Sequence, residues 1–155
     1  TYVHEEQPLG TGGALGLLPK NLPELPMVVV NGDILTSVDI ERVLEFHNER
    51  DATATMCVRE YDYQIPYGVI NGDGERIVDM EEKPIQRFFV NAGIYVLNPL
   101  VFEKFKIKGF VNITDIITNL SNGSNVLTFP IHEYWLDIGE IENYQLANED
   151  YPKLF

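Results

Sequence analysis

The chain has 155 residues, with 11 Lys and Arg against 24 Asp and Glu, for a formal net charge of −13. A field this negative repels polyanions, and no basic cluster opposes it, so the composition argues against a nucleic-acid module. With 45% apolar and 23% charged residues, the chain is globular in type and long enough for one domain with a sizeable core. Cys57 is the single cysteine and permits no internal disulfide; within the apolar run Ala54 to Val58 it reads as a buried free thiol of a reducing compartment. No apolar run reaches the ~18 residues of a spanning helix, and no cleavable leader is legible, so a cytoplasmic protein without membrane contact is expected. Thr1-Tyr2-Val3-His4 reads as the end of a strand already under way, which suggests a piece of a longer chain.

Pro8 to Leu18 is a glycine-rich turn entering a short helix, and Pro19, Pro23 and Pro26 mark the loop that follows. Met27 to Val30 is a continuous β-branched run of the kind buried on both faces in a parallel sheet. It stops at Asn31-Gly32-Asp33. A helix is predicted next, capped by Ser37, with Asp39 and Glu41 in its first turn and Ile40, Val43, Leu44 and His47 at helical spacing. Thr53 to Val58 returns as a strand, completing a strand–helix–strand crossover. Beyond residue 60 the texture changes to a hairpin, Tyr67 to Ile70 and Arg76 to Met80, around Asn71-Gly72-Asp73-Gly74. A strand over Phe88 to Leu97, helices over Leu100 to Phe105 and from Asn112, strands over Val126 to Phe129 and Tyr134 to Ile138, and a helix over Glu140 to Tyr151 complete the prediction.

Asp33 directly follows a hydrophobic strand, the place where open α/β sheets put their ligands. Such a carboxylate suits a magnesium ion that bridges phosphate oxygens, and equally a turn cap. Asp137, in Trp135-Leu136-Asp137-Ile138-Gly139, is a second such acid or the N-cap of the final helix. Lys83, in Glu82-Lys83-Pro84, can bind phosphate as a point charge or stand as a surface lysine, and Pro84 predicts an extended backbone for it. The glycine turn Gly10-Thr11-Gly12-Gly13 matches neither standard phosphate-loop pattern.

Pro8 to Leu15, Val30 to Asp33, Tyr67-Gly68-Val69, Glu82-Lys83-Pro84, Asn91-Ala92-Gly93-Ile94-Tyr95 and Trp135 to Gly139 stand in an order that resembles the sugar-1-phosphate nucleotidyltransferase family, nearest its mannose- and heptose-1-phosphate guanylyltransferase branch. The resemblance implies a Rossmann-like, mixed and mainly parallel sheet flanked by helices, with residues 1–60 on the nucleotide side and 61–155 on the sugar side. It implies an enzyme that joins a nucleoside triphosphate to a sugar 1-phosphate with release of pyrophosphate. Asp33 and Asp137 would share Mg2+, and Lys83 would hold the sugar phosphate as the third catalytic residue. Glu82 and Asn91 would meet sugar hydroxyls, and Gly68 and Gly93 would let the backbone approach the sugar. Gly10, Thr11 and Asp33 would border the nucleotide, and Glu5, five positions before Gly10, would face the base. A carboxylate can accept from both the ring N–H and the amine of guanine, so GTP is the expected nucleotide.

The family's opening glycine-rich, Arg- and Lys-bearing loop has no counterpart here. The resemblance therefore implies that an N-terminal part of the domain is absent, that this polypeptide by itself is inactive or nearly so, and that an exposed sheet edge is open to pairing as a homo-oligomer. A metal-dependent glycosyltransferase with a similar sheet and a non-catalytic regulatory subunit stay open as alternatives.

Overall fold

In the computed structural model, which describes residues 2–19, 21, 23–101, 105 and 107–154, one long strand organises the sheet. In chain order the elements are α1 (Gly10–Gly13), a 3-10 turn (Ala14–Leu17), β1 (Met27–Val30), β2 (Ile34–Thr36), α2 (Ile40–Glu49), β3 (Ala54–Gln64), β4 (Val69–Asp73) and β5 (Arg76–Glu81). They continue with β6 (Ile85–Leu97), α3 (Ile113–Ser121), β7 (Val126–Pro130), β8 (Trp135–Asp137) and α4 (Ile141–Leu154).

The main sheet has the order β1-β6-β3-β7. β6 runs antiparallel to both β1 and β3, while β3 and β7 are parallel. Three of the four strands therefore point the same way and β6 is the exception, so the mixed, mainly parallel sheet expected from the sequence is present. The crossover β1–α2–β3 is also present, with β6 inserted between its two strands. β2 and β8 form a separate two-stranded sheet, and β4 and β5 form the hairpin.

Alternation along β6 assigns the two faces of the sheet. Tyr95 and Leu97 join Ala54, Val101 and the Ile113, Ile116, Ile117 and Leu120 stripe of α3. Ile94 and Val96 point the other way, with Ala92, Cys57 and Ile131, to meet Val43 of α2. Period two in the strand and period 3.6 in the helices thus produce a layer of helix on each face. Each buried aliphatic of α3 contributes roughly 1.5–3 kcal/mol of burial free energy.

Several local expectations change. β1 is not buried on both faces: it lies at the edge of the described sheet, and Val30 is 47% exposed. Asp39, not Ser37, caps α2, its carboxylate accepting from the Glu41 and Arg42 amides at 3.0 and 3.3 Å. The Asn71-Gly72 portion of the hairpin falls inside β4, and the chain reverses at Gly74, whose φ of +60° glycine tolerates. β3 runs on to Gln64 and β6 begins at Ile85, so the two continue beyond the core as a ribbon with Tyr61 opposite Phe88. β3 also crosses the division at residue 60 expected between nucleotide and sugar parts. Leu100 and Val101 start a helical turn, but much of the helix expected to Phe105 lies outside the described residues. No helix among the described residues is long and apolar enough to cross a membrane.

His47, on α2, is almost wholly buried, at 1% exposure. Its Nδ1 lies 2.9 Å from the Thr55 hydroxyl, and its Nε2 is buried without a hydrogen-bond partner. Burial lowers its pKa from the ordinary 6.5. The unfolded chain then takes up a proton that the folded chain refuses. The stability contributed by neutral His47 is complete above its unfolded pKa of about 6.5 and is lost as pH falls from there toward the lowered folded value. Urea melts between about pH 7.5 and 5.5 should show this decline. The same series on His47→Gln should be flatter, whatever the variant's absolute stability.

Candidate functional site

The two acids singled out in the sequence meet at one end of the β2–β8 pair, Asp137 as the last residue of β8 and Asp33 in the turn just before β2. Ile34 is the ladder partner of Asp137, and the Ile138 amide donates to the Asp33 carbonyl at 2.8 Å. Residues 104 apart in sequence therefore become neighbours across one rung, at the carboxyl end of β1. Asp33 lines an open cleft of about 450 Å³ with Thr11, Val29, Val30, Asn31 and Gly32. A second cavity of about 250 Å³ at the end of α3, between Phe105 and Ser124, has no ionisable side chain among the described residues of its lining.

The Gly93 segment is joined to this acid pair by a bulge. Between the pairs Met56–Tyr95 and Val58–Asn91, β3 has one residue where β6 has three, so Ala92, Gly93 and Ile94 bow out of the β3 ladder. Neighbouring groups satisfy the backbone there. The Trp135 indole N–H donates to the Ala92 carbonyl at 2.8 Å, the Asn31 amide to the Gly93 carbonyl at 2.8 Å, and the Gly93 amide to Asn91 Oδ1 at 3.0 Å. Asn91 Nδ2 in turn donates to the Tyr95 hydroxyl at 2.6 Å. Gly93 has a φ of +70°, and a Cβ there would come within 2.9 Å of Asn31 Nδ2. Both conformation and space therefore require glycine.

Glu82, Lys83 and Gly68 form a second group, beside the hairpin. The Lys83 amide donates to the Tyr67 carbonyl at 3.3 Å, and a Cβ on Gly68 would come within 3.1 Å of Glu82 Oε2. The extended backbone expected for Lys83 is not found. Its φ is +48°, because the bond to Tyr67 and the return of the chain into Pro84, whose carbonyl accepts from the Ile65 amide at 3.0 Å, outweigh the preference imposed by the proline. A non-glycine residue held there stores strain, as functional positions often do. None of the described hydrogen bonds joins this group to Asp33 or Asp137.

The glycine turn serves mainly to dock the chain before α3. The Gly12 amide donates to the Val111 carbonyl at 2.8 Å, and Thr11 Oγ1 accepts the Ile113 amide at 3.0 Å. A Cβ on Gly10 would lie 2.7 Å from the Val111 carbonyl oxygen. Thr11 thus caps a helix 102 residues away while facing the cleft that holds Asp33. Glu5 is half-buried, and its Oε1 is buried with no hydrogen-bond partner. Asn31, Arg59 and the indole of Trp135 were not singled out by sequence reasoning. Asn31 and Trp135 lie inside quoted motifs, but nothing local marked Arg59. Cys57 is buried and free, its thiol pushed up to about 12 by burial and by the Glu133 charge.

Among the described residues there is no group of three or more His, Cys, Asp or Glu side chains able to hold a metal ion. The backbones of Asp33 and Asp137 are neighbours, and a donor set of two carboxylates suits magnesium, which takes one or two carboxylates and fills its shell with phosphate oxygens and water.

Comparison with known proteins gives one consistent family. The model of that family, described as nucleotidyl transferase, matches residues 1–153. A mannose-1-phosphate guanyltransferase of Pichia angusta is 32% identical over 151 residues, covering 93% of this chain and 42% of the relative. A provisionally assigned glucose-1-phosphate thymidylyltransferase from Bacillus anthracis, solved with sucrose, superposes with a TM-score of 0.71 at 28% identity, covering 96% of this chain and 63% of that one. HddC from Yersinia pseudotuberculosis, complexed with GMP-PN, gives a TM-score of 0.66 at 25% identity, with coverages of 95% and 64%. The chain therefore spans less than half the length of the guanyltransferase relative.

The Lys83 backbone yields a direct test. Lys83→Gly should raise stability by up to about 1 kcal/mol, since the left-handed conformation costs a non-glycine residue about 1–2 kcal/mol and glycine's added freedom in the unfolded chain offsets part of the gain. Lys83→Ala, which keeps the strain, should give no such gain in urea unfolding. Gly93→Ala should lose about 1–3 kcal/mol through the positive φ and the collision with Asn31.

Proposed function

Because the chain belongs to the nucleotidyl transferase family, we propose that it forms part of an enzyme that joins GTP to a sugar 1-phosphate, giving a GDP-sugar and pyrophosphate. The observation that carries this reading is the meeting of Asp33, in the turn before β2, with the end of β8 at Asp137 and Ile138, Asp33 lining an open cleft. Displacement at a phosphate needs reactants aligned and negative charge neutralised more than it needs a covalent intermediate. Asp33 and Asp137 would hold Mg2+, which when bound supplies charge neutralisation at the triphosphate.

The remaining roles belong to the chain's own groups. Lys83 binds the phosphate of the sugar as a point charge. Glu82 and Asn91 meet sugar hydroxyls, Asn91 through the amide hydrogen left over from its bond to Tyr95. Gly68 and Gly93 leave room for the sugar, and Gly10 and Thr11 border the nucleotide. Glu5 reads the base: its buried, partnerless oxygen favours a ligand with neighbouring N–H donors, as guanine has. The guanyltransferase name of the relative and the GMP-PN complex of HddC support the same base, and mannose 1-phosphate is the first sugar to test. A cytoplasmic setting and a homo-oligomer using the edge of β1 that has no strand partner among the described residues belong to this reading.

Full-length protein supplied with GTP, mannose 1-phosphate and Mg2+ should release pyrophosphate; a glycosyltransferase or a regulatory subunit would not. Asp33→Asn and Asp137→Asn should each lower kcat by at least about 100-fold, the scale of losing one preorganised charge-stabilising group. Normal turnover in either variant overturns the acid-pair site. Glu5→Gln should shift preference from GTP toward UTP or dTTP, read as the ratio of kcat/KM values. The 155-residue chain by itself should show little or no turnover.

A further inference from the structure

The acid pair rests on a ladder that is too small to hold itself. β2 and β8 are three residues each and form a sheet of their own, outside the four-stranded sheet. A lone two-stranded pair is marginal in water, so its position depends on what ties it to the core. On the β2 side the tie is the Asn31 amide to the Gly93 carbonyl. On the β8 side the main sheet holds it through Trp135, by way of Ala92, and through Arg59, while the Asn143 side chain of α4 donates to the Asp137 carbonyl at 2.8 Å from the other direction.

Arg59 is unusual among the cations of this chain. It sits on β3 just past the bulge, opposite Val90, and its Nη1 donates to the Glu133 carbonyl at 2.9 Å, across 74 residues of sequence. Its guanidinium lies 6.0 Å from the centre of the Trp135 ring. The Glu133 carboxylate is engaged elsewhere, by Arg42 at 3.6 Å and by the His132 amide at 2.9 Å. In a chain with 24 acids, Arg59 makes no ion pair among the described residues and is spent instead on a neutral carbonyl at the entry to β8.

We propose that Arg59 is a positioning residue for the acid pair: it fixes the entry and register of β8, through the Glu133 carbonyl and the face of Trp135, so that Asp137 stays opposite the Asp33 turn. The function of this clamp rests on the reading that Asp33 and Asp137 act together on a divalent cation. Arg59 itself touches neither acid, and its effect passes through the backbone of Glu133 and through Trp135.

Hydrogen exchange followed by NMR reads the clamp directly. The Ile138 amide reports the β8-to-Asp33 bond, and Trp135, the single tryptophan, gives one indole N–H signal for the bond to Ala92. Arg59→Met keeps the stem and removes the donors; Arg59→Lys keeps one charged donor without the planar face. Arg59→Met should speed exchange at Ile138 and at the indole by roughly tenfold, the worth of one charge-assisted hydrogen bond, with the Val96 and Leu97 amides unchanged as the folding control. Mn2+ titration, followed by broadening of the Asp33 and Asp137 signals, should weaken by a similar factor, with Arg59→Lys intermediate in both readouts. Unchanged exchange at Ile138 in Arg59→Met overturns the clamp. Faster exchange with undiminished Mn2+ affinity overturns the positioning role. Mn2+ binding that Asp33→Asn and Asp137→Asn leave intact overturns the acid-pair reading and the positioning role with it, while the exchange result still decides whether the clamp exists.

Discussion

The departure of Ala92, Gly93 and Ile94 from the β3–β6 ladder is the constraint on which the rest of this site depends. A regular pairing would have consumed these backbone groups within the sheet. Because β6 carries two more residues than β3 across this interval, the Ala92 carbonyl is left for Trp135 and the Gly93 amide for Asn91. The positive φ that glycine alone tolerates cheaply makes the bow possible, and the absent Cβ leaves space for Asn31. One irregularity in a strand thereby gathers two distant segments, the turn after β1 and the start of β8, beside the Asn91–Tyr95 pair of β6 itself.

The core explains why such an irregularity is tolerated. β6 is covered on both faces, by α3 through Tyr95 and Leu97 and by α2 through Ile94 and Val96. Close packing on both faces fixes the strand from Ala92 onward, through the bulge and its C-terminal flank, while Ile85 to Phe89 before it are exposed. The short β2–β8 ladder is only partly covered, with Ile34 and Trp135 packed against the α2-side core, so its order also draws on hydrogen bonds from the main sheet and from α4. Rigid core and dependent ladder divide the labour between stability and chemistry.

The sequence made the core legible and the couplings only partly so. Ile113, Ile116, Ile117 and Leu120 announce α3 because a buried stripe must recur every three to four residues, and the structure buries all four. Cys57 was readable as a buried thiol for the same reason. The cap of α2 was misplaced by two residues because Ser37 and Asp39 are both good caps, and only the backbone geometry chooses between them. Lys83 shows the opposite failure: the local rule for residues before proline was sound, yet a hydrogen bond to Tyr67 set the conformation. Asp33 and Asp137 were each ambiguous alone and became a pair only through the family resemblance. The ladder brings their backbones side by side. Arg59 left no trace, since its partner lies 74 residues away and no periodicity connects them.

The burial of Cys57 has a consequence of its own. Oxidants and alkylating reagents attack the thiolate, and a thiol pushed up to about 12 presents almost none at neutral pH. Its strand is flanked by β6 and β7, and its side chain is sealed beneath α2, so while the sheet is closed no reagent reaches it. The sulfur is therefore silent to redox chemistry in the folded chain and becomes reactive when β3 is laid bare. A residue that looks inert works as a clock: the rate at which it can be trapped counts the openings of the central sheet.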